Sequence, residues 1–195
     1  VVLTFSHIAA VRSKAQRLVR NLVPCVVALF LLLLPTGGGA ETSFGEYSLK
    51  AAFIFNFTKF VEWPGSSLRR SEFCIATLGR SPLDRTLVGL TGRSIQGRPI
   101  VFRQVSSPEE AAQCQVLFIS RSELGRLDGI LDVLGDLPIL TISDREDFCR
   151  RGGMLSLYPD NGKIAFEVNL NETQRCRLKV SSQLLKLARK VYGHQ

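Results

Sequence analysis

Of the residue types that do chemistry, this chain is richest in arginine and serine and poorest in histidine. Its two histidines, His7 and His194, stand near the two ends, so no Ser-His or Cys-His pair is suggested by spacing. G-x-S-x-G, a Walker loop and G-x-G-x-x-G are all absent. No C-x-x-C occurs either, which leaves zinc without a ligand set. Asp84, Asp128 and Glu167 could do acid–base work, but no spacing brings two of them together, and each reads as surface charge. The sequence thus asks for no enzyme, metal or cofactor.

What remains is anion chemistry. Gly79-Arg80-Ser81, Ser120-Arg121-Ser122 and Ser143-Asp144-Arg145 each join a serine to an arginine. If each follows a strand, the three loops meet at the carboxyl edge of a sheet, where helix N-termini favour negative charge. Arg80, Arg121 and Arg145 are therefore candidate ligands for an anion or small polar molecule. The plainer reading is helix capping with solvated arginines.

The pattern along the chain supplies those strands. Phe73–Leu78, Ile100–Val105, Gln115–Ile119 and Pro138–Ile142 are short apolar runs. Helical segments separate them: Leu83–Leu90 behind Ser81-Pro82, a turn after Ser107-Pro108-Glu109-Glu110, and Ser122 to about Leu134. Asp144 to Cys149 adds a helical turn or two. Met154–Tyr158 and Lys163–Asn169 flank Pro159-Asp160-Asn161-Gly162, a hairpin signal. A last helix within Thr173–Tyr192 aligns Leu184, Leu185, Leu187, Ala188 and Val191. The expected fold is α/β: a largely parallel, Rossmann-like three-layer sheet with helices on both faces, closed by a C-terminal β-hairpin plus helix.

The first forty residues read as a signal peptide. Arg12, Lys14, Arg17 and Arg20 precede the apolar run Leu22–Leu34, and Gly38 and Ala40 suit a cleavage site. Thirteen residues including Pro24 are too few to span about 30 Å of hydrocarbon. Cleavage would leave 41–195 as a single domain. Four of the 25 basic residues leave and none of the 17 acidic ones, so the formal charge falls from +8 to +4. That mild basicity fits solubility or attraction to an anionic membrane surface, and an exported protein rarely meets nucleic acid.

Export also frames the cysteines. Cys74, Cys114, Cys149 and Cys176 remain, an even number in an oxidising compartment. With strand order 2-1-3-4, Cys74 and Cys114 start neighbouring parallel strands about 4.8 Å apart, comfortable for a bridge. Cys149 and Cys176 bracket the hairpin and form the other expected pair, the alternative being two buried free thiols.

Lys50–Pro64 (KAAFIFNFTKFVEWP) reads as a helix from Tyr47 to Glu62 stopped by Pro64. At 100° per residue, Phe53, Ile54, Phe57, Phe60 and Val61 share one arc and face the core. Phe55 and Trp63 fall outside it. Phe55 either meets another part of the chain or, with Trp63, forms a contact for a partner.

YSLKAAFIFNFTKFVEWP, GRPIVFRQV and GKIAFEVNLNETQRCRLKVSSQLLKLARKV together resemble the YfiR/HmsC-like family of periplasmic proteins, over roughly 44–192. The resemblance implies a compact α/β domain, often dimeric and disulfide-bonded, without known catalysis. It implies a repressor that binds the periplasmic part of an inner-membrane diguanylate cyclase, limiting cyclic di-GMP and biofilm formation. An outer-membrane lipoprotein that sequesters the repressor is a second implied partner. The other function class left open is a small-ligand sensor acting through the strand-end loops on a different membrane receptor.

Overall fold

The computed structural model describes residues 40–193, with side chains from residue 45. The expected signal segment, apart from Ala40, lies outside the described residues, as do Cys25 and His194. In chain order the elements are α1 (Ala40–Phe57), β1 (Val61–Glu62), β2 (Phe73–Leu78), α2 (Leu83–Val88), β3 (Ser94–Ile95) and β4 (Arg98–Val105). They continue with β5 (Val116–Ile119), α3 (Leu127–Leu134), β6 (Leu140–Ser143), β7 (Leu155–Asp160) and β8 (Lys163–Asn169). The chain then forms α4 (Leu170–Arg175), β9 (Lys179–Val180), α5 (Ser182–Leu187) and β10 (Lys190–Tyr192).

Strands β2, β5 and β6 are buried at every position, which is why β2 and β5 read as nearly continuous apolar runs. They sit centrally in an eight-stranded sheet of order β10-β8-β7-β6-β5-β2-β4-β3. The run β4-β2-β5-β6-β7 is parallel, while β7 and β8 pair antiparallel from Leu155↔Val168 to Asp160↔Lys163. Strand alternation sends Phe73, Ile75, Val116, Phe118, Leu140 and Ile142 to one face, against Ala51, Ile54 and Phe57 of α1. Cys74, Ala76, Leu78, Leu117 and Ile119 face the other way, onto Leu127, Ile130 and Leu134 of α3. The architecture is mixed α/β with both faces covered.

Two expected helices end early. α1 stops at Phe57, where Thr58 turns its hydroxyl onto the Phe55 carbonyl at 2.6 Å and Lys59 N–H bonds Asn56 O at 3.0 Å. Val61 and Glu62 then form β1 against Val180 and Lys179, so the helical arc does not extend to them. Near the C-terminus, α5 stops at Leu187, which is exposed, and Val191 lies in edge strand β10, paired parallel with β8. The segments expected as helices after Ser107-Pro108 and from Ser122 begin as 3-10 turns, Glu109–Gln113 and Arg121–Arg126, without a side-chain cap, whereas the signal at Ser81 agrees with the structure. Ser81 Oγ accepts from Leu83 N–H while Ser81 N–H donates to Asp84 Oδ2, a reciprocal cap on α2.

Cys74 and Cys114 are bridged across the amino ends of β2 and β5, with Cα atoms 4.5 Å apart. Strand order β4-β2-β5-β6 is the order their meeting requires. Cys149 and Cys176 are a correction to the sequence reading, because both are buried free thiols. Cys149 lies in the turn Cys149–Arg151 and donates to the Glu167 carbonyl of β8 at 3.4 Å. Cys176 caps α4 and faces the Gly135 carbonyl beyond α3 at 3.6 Å. Cys149 packs on the hairpin strands and Cys176 towards the turn after α3, so the two thiols do not meet. Burial pushes the Cys149 thiol up to about 11 and raises that of Cys176. With its cysteines separated by 40 positions in sequence, the 74–114 bridge should contribute about 2–4 kcal/mol. Denaturant titration with and without reductant checks this, and identical midpoints would refute it.

Candidate functional site

A lysine in a helix of apolar residues can be buried only if its charge is matched. Lys50 of α1 is 1% exposed, and its Nζ lies 2.7 Å from Glu46 Oε1 and 3.1 Å from Asp144 Oδ2. The Tyr47 ring stands 5.1 Å from the same ammonium. Asp144, the first residue after β6, is itself buried. It takes Arg121 Nε on Oδ1 at 3.2 Å, while Arg121 Nη2 donates to its backbone carbonyl at 3.1 Å. Ser143 Oγ ties the same strand end to the Ile119 carbonyl at 2.8 Å. Two cations and two carboxylates thus lock α1 and the loop after β5 onto the carboxyl end of β6.

Beside this network opens a cleft of ≈ 440 Å³, lined by Arg121, Asp144, Arg145, Arg150, Tyr158 and neighbours. It lies outside the carboxyl ends of the parallel strands, where α/β sheets bind ligands. Two of the three arginines expected there, Arg121 and Arg145, line it; Arg80 is exposed and does not. Gly79, with φ of 82°, makes the turn after β2, where a Cβ would come within 2.2 Å of Ser120 Oγ. Arg145 turns to Asp147, at 3.1 Å, and that carboxylate holds its guanidinium more firmly charged while the arginine lowers the Asp147 pKa. The cleft's cations are therefore already partly neutralised by protein carboxylates.

A family model described as YfiR/HmsC-like matches residues 47–189. The chain belongs to the YfiR/HmsC-like family. That family is one of periplasmic regulatory proteins. Among solved structures, a conserved domain protein from Vibrio cholerae O1 biovar El Tor is 10% identical, with a TM-score of 0.51 over 74% of this chain. This chain spans 60% of that protein's length, and the likeness speaks to the fold alone. The ABC domain from Streptococcus pneumonia in complex with L-Trp is 12% identical over 61% of this chain and 55% of its own, with a TM-score of 0.42, too remote to carry an argument.

In this YfiR/HmsC-like chain the Phe-Val-Glu-Trp-Pro segment is structural. Trp63 is a correction: it is buried, not a surface contact. Its indole N–H donates to the Gln115 carbonyl at 3.1 Å, and its ring meets Phe73 edge-on at 5.2 Å. The expected position assumed a continuing helix; the β1–β9 pairing turns the side chain inward instead. Phe55 is half-buried against the core, with Lys59 Nζ 4.4 Å and the Arg93 guanidinium 5.5 Å from its ring.

Glu167 corrects the surface-charge reading as well, whereas Asp128 is exposed as expected. Glu167 is buried in β8 and accepts from Tyr158 Oη at 3.0 Å and Tyr192 Oη at 2.9 Å, one on each carboxylate oxygen. No sequence spacing links these three residues; pairing of β7, β8 and β10 does. Burial, then the hydrogen bond and charge of Glu167, push both phenols up to about 12.

Two outcomes follow. Asp144→Ala strands Lys50 with Glu46 alone and should cost about 3–5 kcal/mol in urea unfolding, whereas exposed Arg121→Ala should cost under about 1 kcal/mol. Because the folded phenols titrate above unfolded ones, their stabilisation is complete below about pH 10 and is lost as pH rises towards 12. Unfolding free energy followed across that window should fall, and should fall less steeply in Tyr192→Phe.

Proposed function

We propose that this chain is an exported, non-enzymatic periplasmic regulator that binds and represses an inner-membrane diguanylate cyclase, and thereby restrains cyclic di-GMP signalling and biofilm formation. The match to the YfiR/HmsC-like family over 47–189 carries this reading. In it, residues 1–40 are a cleaved signal peptide and 41–195 the functional domain, acting as a homodimer and sequestered by an outer-membrane lipoprotein. A sequence without a catalytic constellation supports the regulatory role, and among the described residues no helix is long and apolar enough to cross a membrane.

The partner surface we assign is the side of α1 at the half-buried Phe55. Aromatic side chains are frequent anchors of protein contacts. A second reading, a small-ligand or anion sensor acting on another receptor, is favoured by the single cleft that Arg121 and Arg145 share. Arg80 contributes nothing to that cleft.

Affinity capture from detergent-solubilised membranes, with the purified protein as bait, tests the two together. The regulatory reading expects recovery of a cyclase bearing a periplasmic domain, with Phe55→Ala weakening capture about ten-fold or more. Recovery of no cyclase, alongside small-molecule binding lost in Arg121→Ala, would establish the sensor instead.

A further inference from the structure

A second cleft, of ≈ 370 Å³, opens at the opposite edge of the sheet, at the amino ends of β2, β5 and β6. Its polar lining includes Ser66, Ser67, Arg69, Arg70, Gln115 and Arg177, and no aspartate or glutamate lines it. Three arginines line it, from two segments more than a hundred residues apart in sequence. Among the described residues none of the three forms an ion pair with a carboxylate. Asp136, whose carbonyl accepts from Arg177 Nη2 at 3.3 Å, turns its own carboxylate to Arg175.

The cleft is held in shape before anything enters it. Gln115 Nε2 donates to the Ser67 carbonyl at 2.7 Å, and Gln115 Oε1 accepts from Cys74 N–H at 2.7 Å. Arg98 donates to the carbonyls of Leu68 at 2.8 Å and Arg70 at 3.2 Å. The backbone of the 66–70 loop is thus tied down through its carbonyl oxygens, and the Cys74–Cys114 bridge anchors the floor at Cys114.

Arg177 stands at an unfavourable backbone position. It follows α4 with φ of 61°, and the bonds Leu178 N–H to Thr173 O (2.8 Å) and Arg177 N–H to Gln174 O (2.9 Å) define a Schellman stop. The residue at that place is ordinarily glycine, and a side chain there raises the energy of the fold. Here the strained residue is an arginine lining a cleft that two other arginines also line.

We propose that this cleft is a binding site for a phosphate-class oxyanion, either a soluble phosphate or the headgroup of an anionic phospholipid. Three arginines with two serine hydroxyls match a multiply charged tetrahedral anion, which guanidinium forks bind in bidentate fashion. The site is independent of the partner reading and shares no lining residue with the Asp144 cleft.

Calorimetric titration of the purified protein with inorganic phosphate, and co-sedimentation with phosphatidylglycerol or phosphatidylcholine vesicles, test it. Arg69→Gln/Arg70→Gln should abolish binding, and Arg177→Gly should weaken it about ten-fold or more. Arg177→Gly should do so with a melting temperature equal to or above that of the parent, since glycine relieves the strained backbone. Arg103→Gln, an equal loss of charge at an exposed site on β4, should leave binding intact. Arg177-dependent phosphate binding without vesicle preference identifies a soluble ligand; Arg177-dependent binding of phosphatidylglycerol alone identifies the headgroup. Failure of both probes to bind, or equal losses in Arg103→Gln and Arg177→Gly, would overturn the proposal.

Discussion

The rest of the structure depends on where the charge of Lys50 goes. A buried ammonium is tolerable only with partners in place, so α1 has one register against the sheet in which Asp144 meets it. That register sets Ile54 and Phe57, one and two turns further on, over the strands they cover. Six residues beyond Phe57, Trp63 finds the Gln115 carbonyl at the amino end of β5. One continuous segment is therefore fixed at the carboxyl edge by an ion pair and at the amino edge by a hydrogen bond, with apolar packing between. Such polar anchors give little net stability against an apolar alternative; what they specify is position.

The disulfide acts on the same frame from below. Cys74 and Cys114 join β2 to β5 at the edge where Gln115 gathers Trp63, Ser67 and Cys74 into one node. Removing the bridge would free a 40-residue loop of the unfolded chain, but it would also loosen the floor on which the 66–70 loop rests. Cys149 and Cys176 have no comparable partner. Their thiols stay protonated because burial disfavours thiolate, and a protonated buried thiol neither attacks nor exchanges readily. Redox sensitivity among the described residues thus resides in the 74–114 pair.

Much of this frame is legible in the sequence because its signals are local. The strand Phe73–Leu78 falls where its apolar run says, and Ser81-Pro82 starts α2. The strand order that brings Cys74 to Cys114 enters the sequence reading as a condition, and the sheet meets it. What escaped was set by distant pairing. Nothing near Val61 announces that β9 will claim it as a strand, so the helical wheel ran too far and left Trp63 on the wrong side. Nothing near Glu167 announces two tyrosines from neighbouring strands, and nothing near Lys50 announces Asp144. Buried charges of this kind look like surface charges until the partner is known.

The same distinction separates the two clefts. Arg121 and Arg145 could be guessed because they obey a topological rule: loops after parallel strands converge at one edge whatever their sequences. Arg80 obeys the rule in sequence yet misses the cleft, since β2 is one strand further from β6 than β5 is. No such rule governs the amino edge, where loops arrive from helices of unrelated length. Arg69, Arg70 and Arg177 meet there through the β1–β9 pairing and the stop of α4, neither of which leaves a mark in composition or spacing. The one local hint was an arginine, not a glycine, in the Cys176-Arg177-Leu178 stop. A residue at odds with its backbone position is informative only once that backbone is seen.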